Sequence, residues 1–134
     1  MMVMLDTNIL VYAIRHPDAG LKQLFRKYLG GGLCISSVTY MELVDGVRRS
    51  KDIRRNDEAL REVLAGIYIL PFDTYAAEHA GDIMAFLSLK GIRIGEKDTM
   101  IAGHARSLGL RLITNNTREF ERVPDLQIED WLER

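Results

Sequence analysis

The chain has 134 residues, 47% of them hydrophobic, which suits one domain with a sizeable core. Its 18 basic and 19 acidic residues leave a net charge of −1, and the pI near 6.3 argues against a generally cationic nucleic-acid binder, although not against a local basic patch. The lone Cys34 excludes an intrachain disulfide, and no apolar stretch is long enough to span a bilayer, so we expect a cytoplasmic protein that is not associated with a membrane.

Short apolar runs alternate along the chain with segments of helical spacing. In chain order the pattern predicts a strand at 3–5, a helix at 21–29, a strand at 33–36, a helix from Ser37 or Thr39 to about Arg49, a helix at about 57–65, a strand at 67–70, a helix that Gly91 ends, a helix at about 97–108, a strand at 111–114 and a short fifth strand at 126–128. Apolar strands separated by helices indicate an α/β protein with a parallel sheet. We predict a single domain over residues 1–134.

Three acidic residues lie where a strand or loop leads into a helix. Asp6 follows the first strand, Glu42 lies in the helix after the second, and Asp98 begins the helix before the fourth. Sites in open parallel sheets form beyond the carboxyl ends of the strands, although the sequence only weakly indicates the side on which Asp98 lies. Carboxylates that converge repel one another unless a cation lies between them, and oxygen ligands favour Mg²⁺ or Mn²⁺ over zinc.

Each of these acids also has a structural explanation. Asp6 is a favoured helix N-cap residue, and Glu42 has capping-box spacing from Thr39. Asp98 in the first turn of a helix would interact favourably with the helix dipole. Asp6 is the strongest functional candidate, because packing poorly explains an acid placed directly after a buried strand.

Polar residues after the fourth strand form a further candidate group. Thr114, Asn115 and Asn116 can orient carboxylates or waters, but they can equally form an Asx or ST turn. Glu119 lies one turn further on, where it either reaches the acidic group or is a surface acid. The three histidines show no metal-ligand spacing.

One basic cluster lies between two predicted helices. It contains five cations within eight positions: Arg48, Arg49, Lys51, Arg54 and Arg55. The cluster is either a solvated connection between helices or a contact to the phosphates of a nucleic-acid strand.

Together these segments resemble the PIN-domain ribonucleases, in particular the VapC toxins of bacterial type II toxin–antitoxin pairs. The matching segments are residues 5–8 (Leu-Asp-Thr-Asn), 40–43 with Gly46, 94–95 with Asp98, 101–105, 114–120 and 123–131. They follow one another in order over nearly the whole chain, which makes the match far more specific than a lone Asp-Thr-Asn.

The resemblance implies a three-layer α/β/α sandwich around a central parallel sheet and a metal-dependent endoribonuclease. It implies Mg²⁺ or Mn²⁺ held by Asp6 and Asp98 with Glu42 nearby. The implied supporting residues, which orient the acids or contact the substrate, are Thr7, Asn8, Thr114, Asn115, Asn116, Arg48 and Arg49. Many PIN domains have an aspartate where this chain has Asn116, so either Glu119 replaces it as a catalytic acid or a second metal binds weakly or not at all.

The resemblance also implies partners. The expected assembly is a homodimer within a larger complex with a cognate VapB-like antitoxin, and the expected substrate is RNA, with transfer RNA as one candidate. The antitoxin would insert a segment into a groove near the site, which the helix faces around residues 24–29 and 60–64 could supply, although core packing is the expected use of most of those residues.

Two other interpretations stay open. One is a degenerate PIN module that only binds RNA or protein, and Asn116 keeps it open. The other is a receiver-like Mg²⁺-binding domain, which needs a phosphoacceptor aspartate after the third strand and a later lysine. Asp73 occupies a suitable position, but no partner lysine is evident.

Overall fold

The computed structural model describes residues 1–16 and 19–132, which form five strands and seven helices. The strands are Val3–Leu5 (β1), Leu33–Ser36 (β2), Tyr68–Leu70 (β3), Arg111–Ile113 (β4) and Ile128–Glu129 (β5). The helices are Thr7–Arg15 (α1), Ala19–Tyr28 (α2), Ser37–Arg48 (α3), Ile53–Leu64 (α4), Thr74–Leu89 (α5), Glu96–Ser107 (α6) and Thr117–Phe120 (α7). None of the described helices is both long and apolar enough to cross a membrane.

The five strands form one parallel sheet in the order β3-β2-β1-β4-β5. β1 lies at the centre, where Met4 pairs with Cys34 on one side and with Leu112 on the other. All carboxyl ends therefore meet at one edge of the sheet, which is where the loops that follow β1, β2 and β4 begin.

Helices cover both faces of the sheet. Successive strand residues point to opposite faces, and those of β1 and β2 are all buried, so both faces need a layer of helices. Val3 and Leu5 contact a core built from α1, α2, α3 and α4, together with Trp131. Met4 contacts the second core, built largely from α5 and α6. The predicted three-layer α/β/α sandwich is confirmed.

Several predicted helix boundaries were wrong, and the caps explain why. Asp52 accepts the Arg55 amide at 3.2 Å, so α4 begins at Ile53 and not near residue 57. The cap of α3 is Ser36, which accepts the Val38 amide, and not Ser37 or Thr39. The sequence pattern gave no bounds for α1, although Asp6 was considered as a helix cap, and it did not identify the single turn of α7 as a helix.

The third strand differs from the apolar, buried strand that was predicted. β3 has a strand neighbour on one side only, and Tyr68 is 55% exposed. Met84 on α5 is exposed as well. Cys34 is buried, and Trp131 packs against Tyr28 with ring centroids 5.0 Å apart.

Candidate active site

Asp6 lies at the turn from β1 into α1 and is 1% exposed. Its Oδ1 accepts the Ile9 amide at 3.0 Å, and its Oδ2 accepts the Thr114 hydroxyl at 2.6 Å. Burial raises the pKa of Asp6 to about 6, opposed by these hydrogen bonds, and the charge of Glu42 raises it further. Asp6 is thus both a helix cap, as its structural explanation required, and part of a group of acids.

Glu42 lies on α3, and its side chain is held by a residue of the neighbouring helix α1. Its Oε1 accepts the Thr7 hydroxyl at 2.7 Å, and Thr7 Oγ1 lies 3.2 Å from Thr39 Oγ1. The capping-box explanation of Glu42 is wrong, because Thr39 lies inside α3 and not at its cap. Glu42 instead faces the loop that carries Asp6.

Asp98 lies in the first turn of α6 and is half-buried. Burial raises the pKa of Asp98 to about 6, and the nearby charges of Glu119, Asp6 and Glu42 raise it further. Those interactions place Asp98 on the same edge of the sheet as the other acids, which the sequence indicated only weakly. Asp6, Glu42, Asp98 and Glu119 are called the acidic cluster below.

Glu119 reaches the acidic cluster with the help of Asn116. Its Oε1 accepts the Gly95 amide at 2.9 Å, and its Oε2 accepts the Asn116 side-chain amide at 2.7 Å. The Asn116 backbone amide in turn donates to Thr114 Oγ1 at 2.9 Å. The turn that was offered as the alternative explanation therefore exists, and it also orients Glu119.

The charge of the acidic cluster is not balanced within the described chain. No ion pair among residues 1–16 and 19–132 includes any of its four carboxylates. In that same part of the chain, no three His, Cys, Asp or Glu side chains already lie close enough together to hold a metal ion. The donor chemistry nevertheless fits a hard cation, because the acids offer oxygen ligands and mutual repulsion that a divalent ion would relieve.

The four remaining predicted residues, two asparagines and two arginines, lie at the border of the acidic cluster. Asn8 is exposed in the first turn of α1, and Asn115 is half-buried after β4. Arg48 and Arg49 lie at the end of α3, about 9 Å along the helix axis from Glu42. Both arginines are exposed, and Arg49 pairs with Asp45 at 2.9 Å, so they border the site without entering it.

Sequence reasoning missed two groups that support the acids. Thr39 lies beside Thr7, and Gly95 offers its amide to Glu119. Gly95 belonged to a segment that matched the PIN pattern, but nothing in the local sequence shows that its amide meets a side chain 24 positions later.

The whole chain is similar to known proteins. The family model described as "PIN domain" matches residues 3–126. The chain is 47% identical to the "tRNA(fMet)-specific endonuclease VapC" of Shigella flexneri, over 96% of both chains. It is 43% identical to "Ribonuclease VapC2" of Haemophilus influenzae, over 96% of this chain and 97% of that one. The structure of DNA-bound VapBC from Salmonella typhimurium covers 98% of this chain and 100% of its own, with 42% identity and a TM-score of 0.95.

The chain belongs to the PIN-domain family. Its parallel sheet lies between layers of helices, and its carboxylates gather at the carboxyl ends of the strands. Within that class, the chain belongs to the VapC ribonucleases, the toxins of VapBC toxin–antitoxin pairs, and it is an endoribonuclease. The receiver-like interpretation is wrong. Asp73 caps α5 by accepting the Ala76 amide at 2.9 Å.

Proposed function

We propose that the protein hydrolyses RNA phosphodiester bonds with Mg²⁺ or Mn²⁺ held by Asp6 and Asp98. The observation that carries the proposal is the environment of Asp98, whose pKa is raised to about 6 by burial and by three other carboxylates. Those carboxylates come from the β1–α1 junction, from α3 and from α7. Separate segments of one chain that bring like charges together without a basic partner in the described residues indicate a cation site.

The residues of the acidic cluster have distinct proposed roles. Asp6 and Asp98 supply the oxygen ligands, and Glu42 is a further ligand or orients the attacking water. Glu119 adds the fourth charge. When bound, the divalent ion would lower the pKa of a water molecule and would balance part of the negative charge of the phosphate. The water oxygen bonds to phosphorus as the bond to the leaving ribose oxygen breaks.

Neutral side chains hold these acids in place. Thr114 and Thr7 each donate to one carboxylate, which fixes the orientation of Asp6 and Glu42. Asn116 does the same for Glu119. Asn8 in the first turn of α1 and Asn115 in the loop after β4 border the acidic cluster, where we propose that they contact the substrate.

We propose a structured RNA, such as a transfer RNA, as the substrate. The Shigella flexneri relative is named as specific for tRNA(fMet), and it matches 96% of this chain. Arg48 and Arg49 are exposed beyond Glu42 on the same helix, where they can contact backbone phosphates that flank the cleaved bond.

We propose that a VapB-like antitoxin binds a groove beside the acidic cluster, because solved relatives are VapBC complexes. The groove lies between α1, α3 and α4 and has a volume of about 230 Å³. Its walls include Val11, Leu43, Gly46 and Leu60, and Glu42 lies at its margin. Leu24 and Leu60 both pack in the core, which was the expected use of most residues on these helix faces, and Leu60 also lines the groove. A basic antitoxin residue that reached Glu42 would compete with the cation.

We also propose that the protein is a cytoplasmic homodimer within a larger toxin–antitoxin assembly. Exposed apolar side chains support self-association: Tyr68 and Ile69 lie on the edge strand β3, and Tyr75 is 76% exposed at the start of α5. Sedimentation equilibrium of the purified chain measures the mass of the species in solution, and a monomer at micromolar concentration would contradict the dimer.

Replacing Asp6 with asparagine tests the catalytic proposal directly. Asp6→Asn keeps the oxygen that caps α1 and removes the charge, so we expect metal-dependent RNA cleavage to be lost while the protein stays folded. Cleavage of transfer RNA in the presence and absence of Mg²⁺ measures the first effect, and circular dichroism measures the second.

The matched control is Asp125→Asn. Asp125 is exposed and has a φ of 59°, a conformation that asparagine also tolerates, so cleavage should be unchanged. Undiminished cleavage by Asp6→Asn would reject the assignment. Wild-type protein that binds transfer RNA but does not cut it under any metal condition would favour the degenerate binding module.

A further inference from the structure

His104 is a buried histidine outside the acidic cluster. It lies on α6, is 2% exposed, and its Nδ1 is 2.8 Å from Ser36 Oγ. Its ring meets Phe72 edge-on, with centroids 5.6 Å apart. Burial lowers the pKa of His104, while Asp73 opposes that effect, so the ring is neutral near pH 7. Among the hydrogen bonds of the described residues, the ring is held by the Ser36 hydroxyl.

Ser36 connects this ring to the helix that carries Glu42. Its Oγ accepts the Val38 amide at 3.1 Å and thereby caps α3. Because Oγ accepts that proton, its own proton is available for Nδ1 of the neutral His104 ring. Glu42 lies six residues after Ser36, and Asp98 lies six residues before His104, so the hydrogen bond joins the two helices that carry these acids.

The other segments of the site are joined by similar bonds. Thr114 binds Asp6 from β4, and Thr7 binds Glu42 from α1. The amide of Gly95, directly before α6, binds Glu119. Among the hydrogen bonds of residues 1–16 and 19–132, the one between Ser36 and His104 is the side-chain link between the cap of α3 and α6. With the three other hydrogen bonds, it links the segments that carry the four acids to one another.

We infer that His104 is a positioning residue, whose hydrogen bond to Ser36 sets the spacing of Glu42 and Asp98 and thereby the affinity of the site for a divalent cation. This inference rests on the proposed function. Groups that hydrogen-bond directly to metal ligands typically contribute 10- to 100-fold in metal affinity. His104 acts one step further out, because it touches Ser36 and not the acids themselves, so we expect an effect at the lower end of that range.

Calorimetric titration with Mn²⁺ tests the inference without relying on cleavage. His104→Phe keeps a ring against Phe72 but removes Nδ1, and we expect on the order of tenfold weaker Mn²⁺ binding. His104→Asn places an amide near the position of Nδ1 and should recover most of that loss.

The control is a truncation in the same core that leaves the hydrogen bond intact. Ile83→Val or Ile83→Ala, whichever matches the melting temperature of His104→Phe, should bind Mn²⁺ as the wild type does. Wild-type affinity in His104→Phe, or an equal loss in the Ile83 control, would overturn the inference. A wild-type protein that binds no Mn²⁺ would instead overturn the proposed metal site itself.

Discussion

Asn116 occupies the position after the fourth strand where many PIN domains have an aspartate, and its side chain donates to Glu119 Oε2 across 2.7 Å. An asparagine cannot supply the missing charge, but it can direct a neighbouring carboxylate. Glu119 Oε1 also binds the amide before α6, close to Asp98. At the scale of single residues, Asn116 thus brings no charge itself but orients the carboxylate of Glu119 toward the edge of the sheet where Asp98 lies.

We predict that Glu119→Gln lowers the rate of RNA cleavage by roughly 10- to 100-fold. Glutamine keeps an oxygen for the Gly95 amide but removes the fourth charge of the cluster, so the effect reports on charge and not on packing. Initial rates at limiting Mg²⁺ measure it. The exposed Glu121→Gln serves as the control, and equal rates for the two variants would exclude a role for Glu119.

The metal-free protein should lose stability as pH rises. The pKa of Asp6 is raised from 3.8 to about 6, so the folded state binds its proton more tightly than the unfolded state does. The stability from this group is complete below pH 3.8 and is lost as pH rises through 6. The expected loss of unfolding free energy is on the order of 1 kcal/mol between pH 5 and pH 7.5.

Urea unfolding at the two pH values, without divalent ions, measures this loss. Asp6→Asn should show a weaker dependence, because it has no proton to release at this position. Added Mn²⁺ should stabilise the wild type more at pH 7.5 than at pH 5, since the cation competes with the proton. A wild-type stability that rises between pH 5 and pH 7.5 would contradict the sign of the prediction.

At the scale of helices, α5 and α6 approach each other closely at Gly103. A Cβ atom at this position would lie 2.5 Å from the Ala80 backbone nitrogen and 2.6 Å from its Cα. No ordinary side chain fits that space, so the glycine permits the contact between the two helices. The same contact places α6, with Asp98 and His104, against the sheet.

Gly103→Ala should therefore destabilise the protein by about 1–3 kcal/mol, because backbone atoms must move apart. Gly81→Ala is the matched control, since a Cβ at Gly81 on α5 meets nothing within 4 Å. Alanine there should raise stability by up to about 1 kcal/mol through helix propensity. Urea midpoints distinguish the two variants, and a neutral Gly103→Ala would refute the close packing.

At the scale of the whole molecule, the sheet separates two cores, and the proposed antitoxin groove lies among the helices of one layer. Gly46 lines this groove in the last turn of α3, and a Cβ there would meet nothing within 4 Å. Glycine inside a helix costs about 1 kcal/mol relative to alanine. No contact within the described chain requires a glycine at this position, which is compatible with the antitoxin groove proposed above.

Gly46→Leu should fold at least as stably as the wild type and bind a cognate VapB-like antitoxin at least tenfold more weakly, because leucine fills the groove. Calorimetric titration measures the affinity and thermal melting measures the stability. Gly81→Leu makes the same change outside the groove and should leave binding intact. Undiminished antitoxin binding by Gly46→Leu would exclude the groove as its site.

Local pattern predicted β1, β2 and β4 well, because a strand covered on both faces is a short apolar run, whereas the fifth strand, predicted at 126–128, lies at Ile128–Glu129. The boundaries of β1 and β2 match the sequence prediction, and those of β4 differ by one residue. The exposed β3 was predicted less well, because a strand at the edge of the sheet need not be apolar on both faces. The start of α4 was placed too late, because its first turn is set by the polar cap Asp52 and not by apolar residues. The acids were chosen from sequence by residue type and by family pattern, and their catalytic roles stay predictions.

By itself the sequence determined the chemical groups, the apolar strands and the family pattern, because each of these is written in neighbouring residues. Only the tertiary structure decided which groups meet. Thr7 binds Glu42 across 35 positions, Ser36 meets His104 across 68, and Thr114 binds Asp6 across 108. Such pairs depend on strand order and helix packing, which bring distant segments to one edge of the sheet and leave no signal in local sequence.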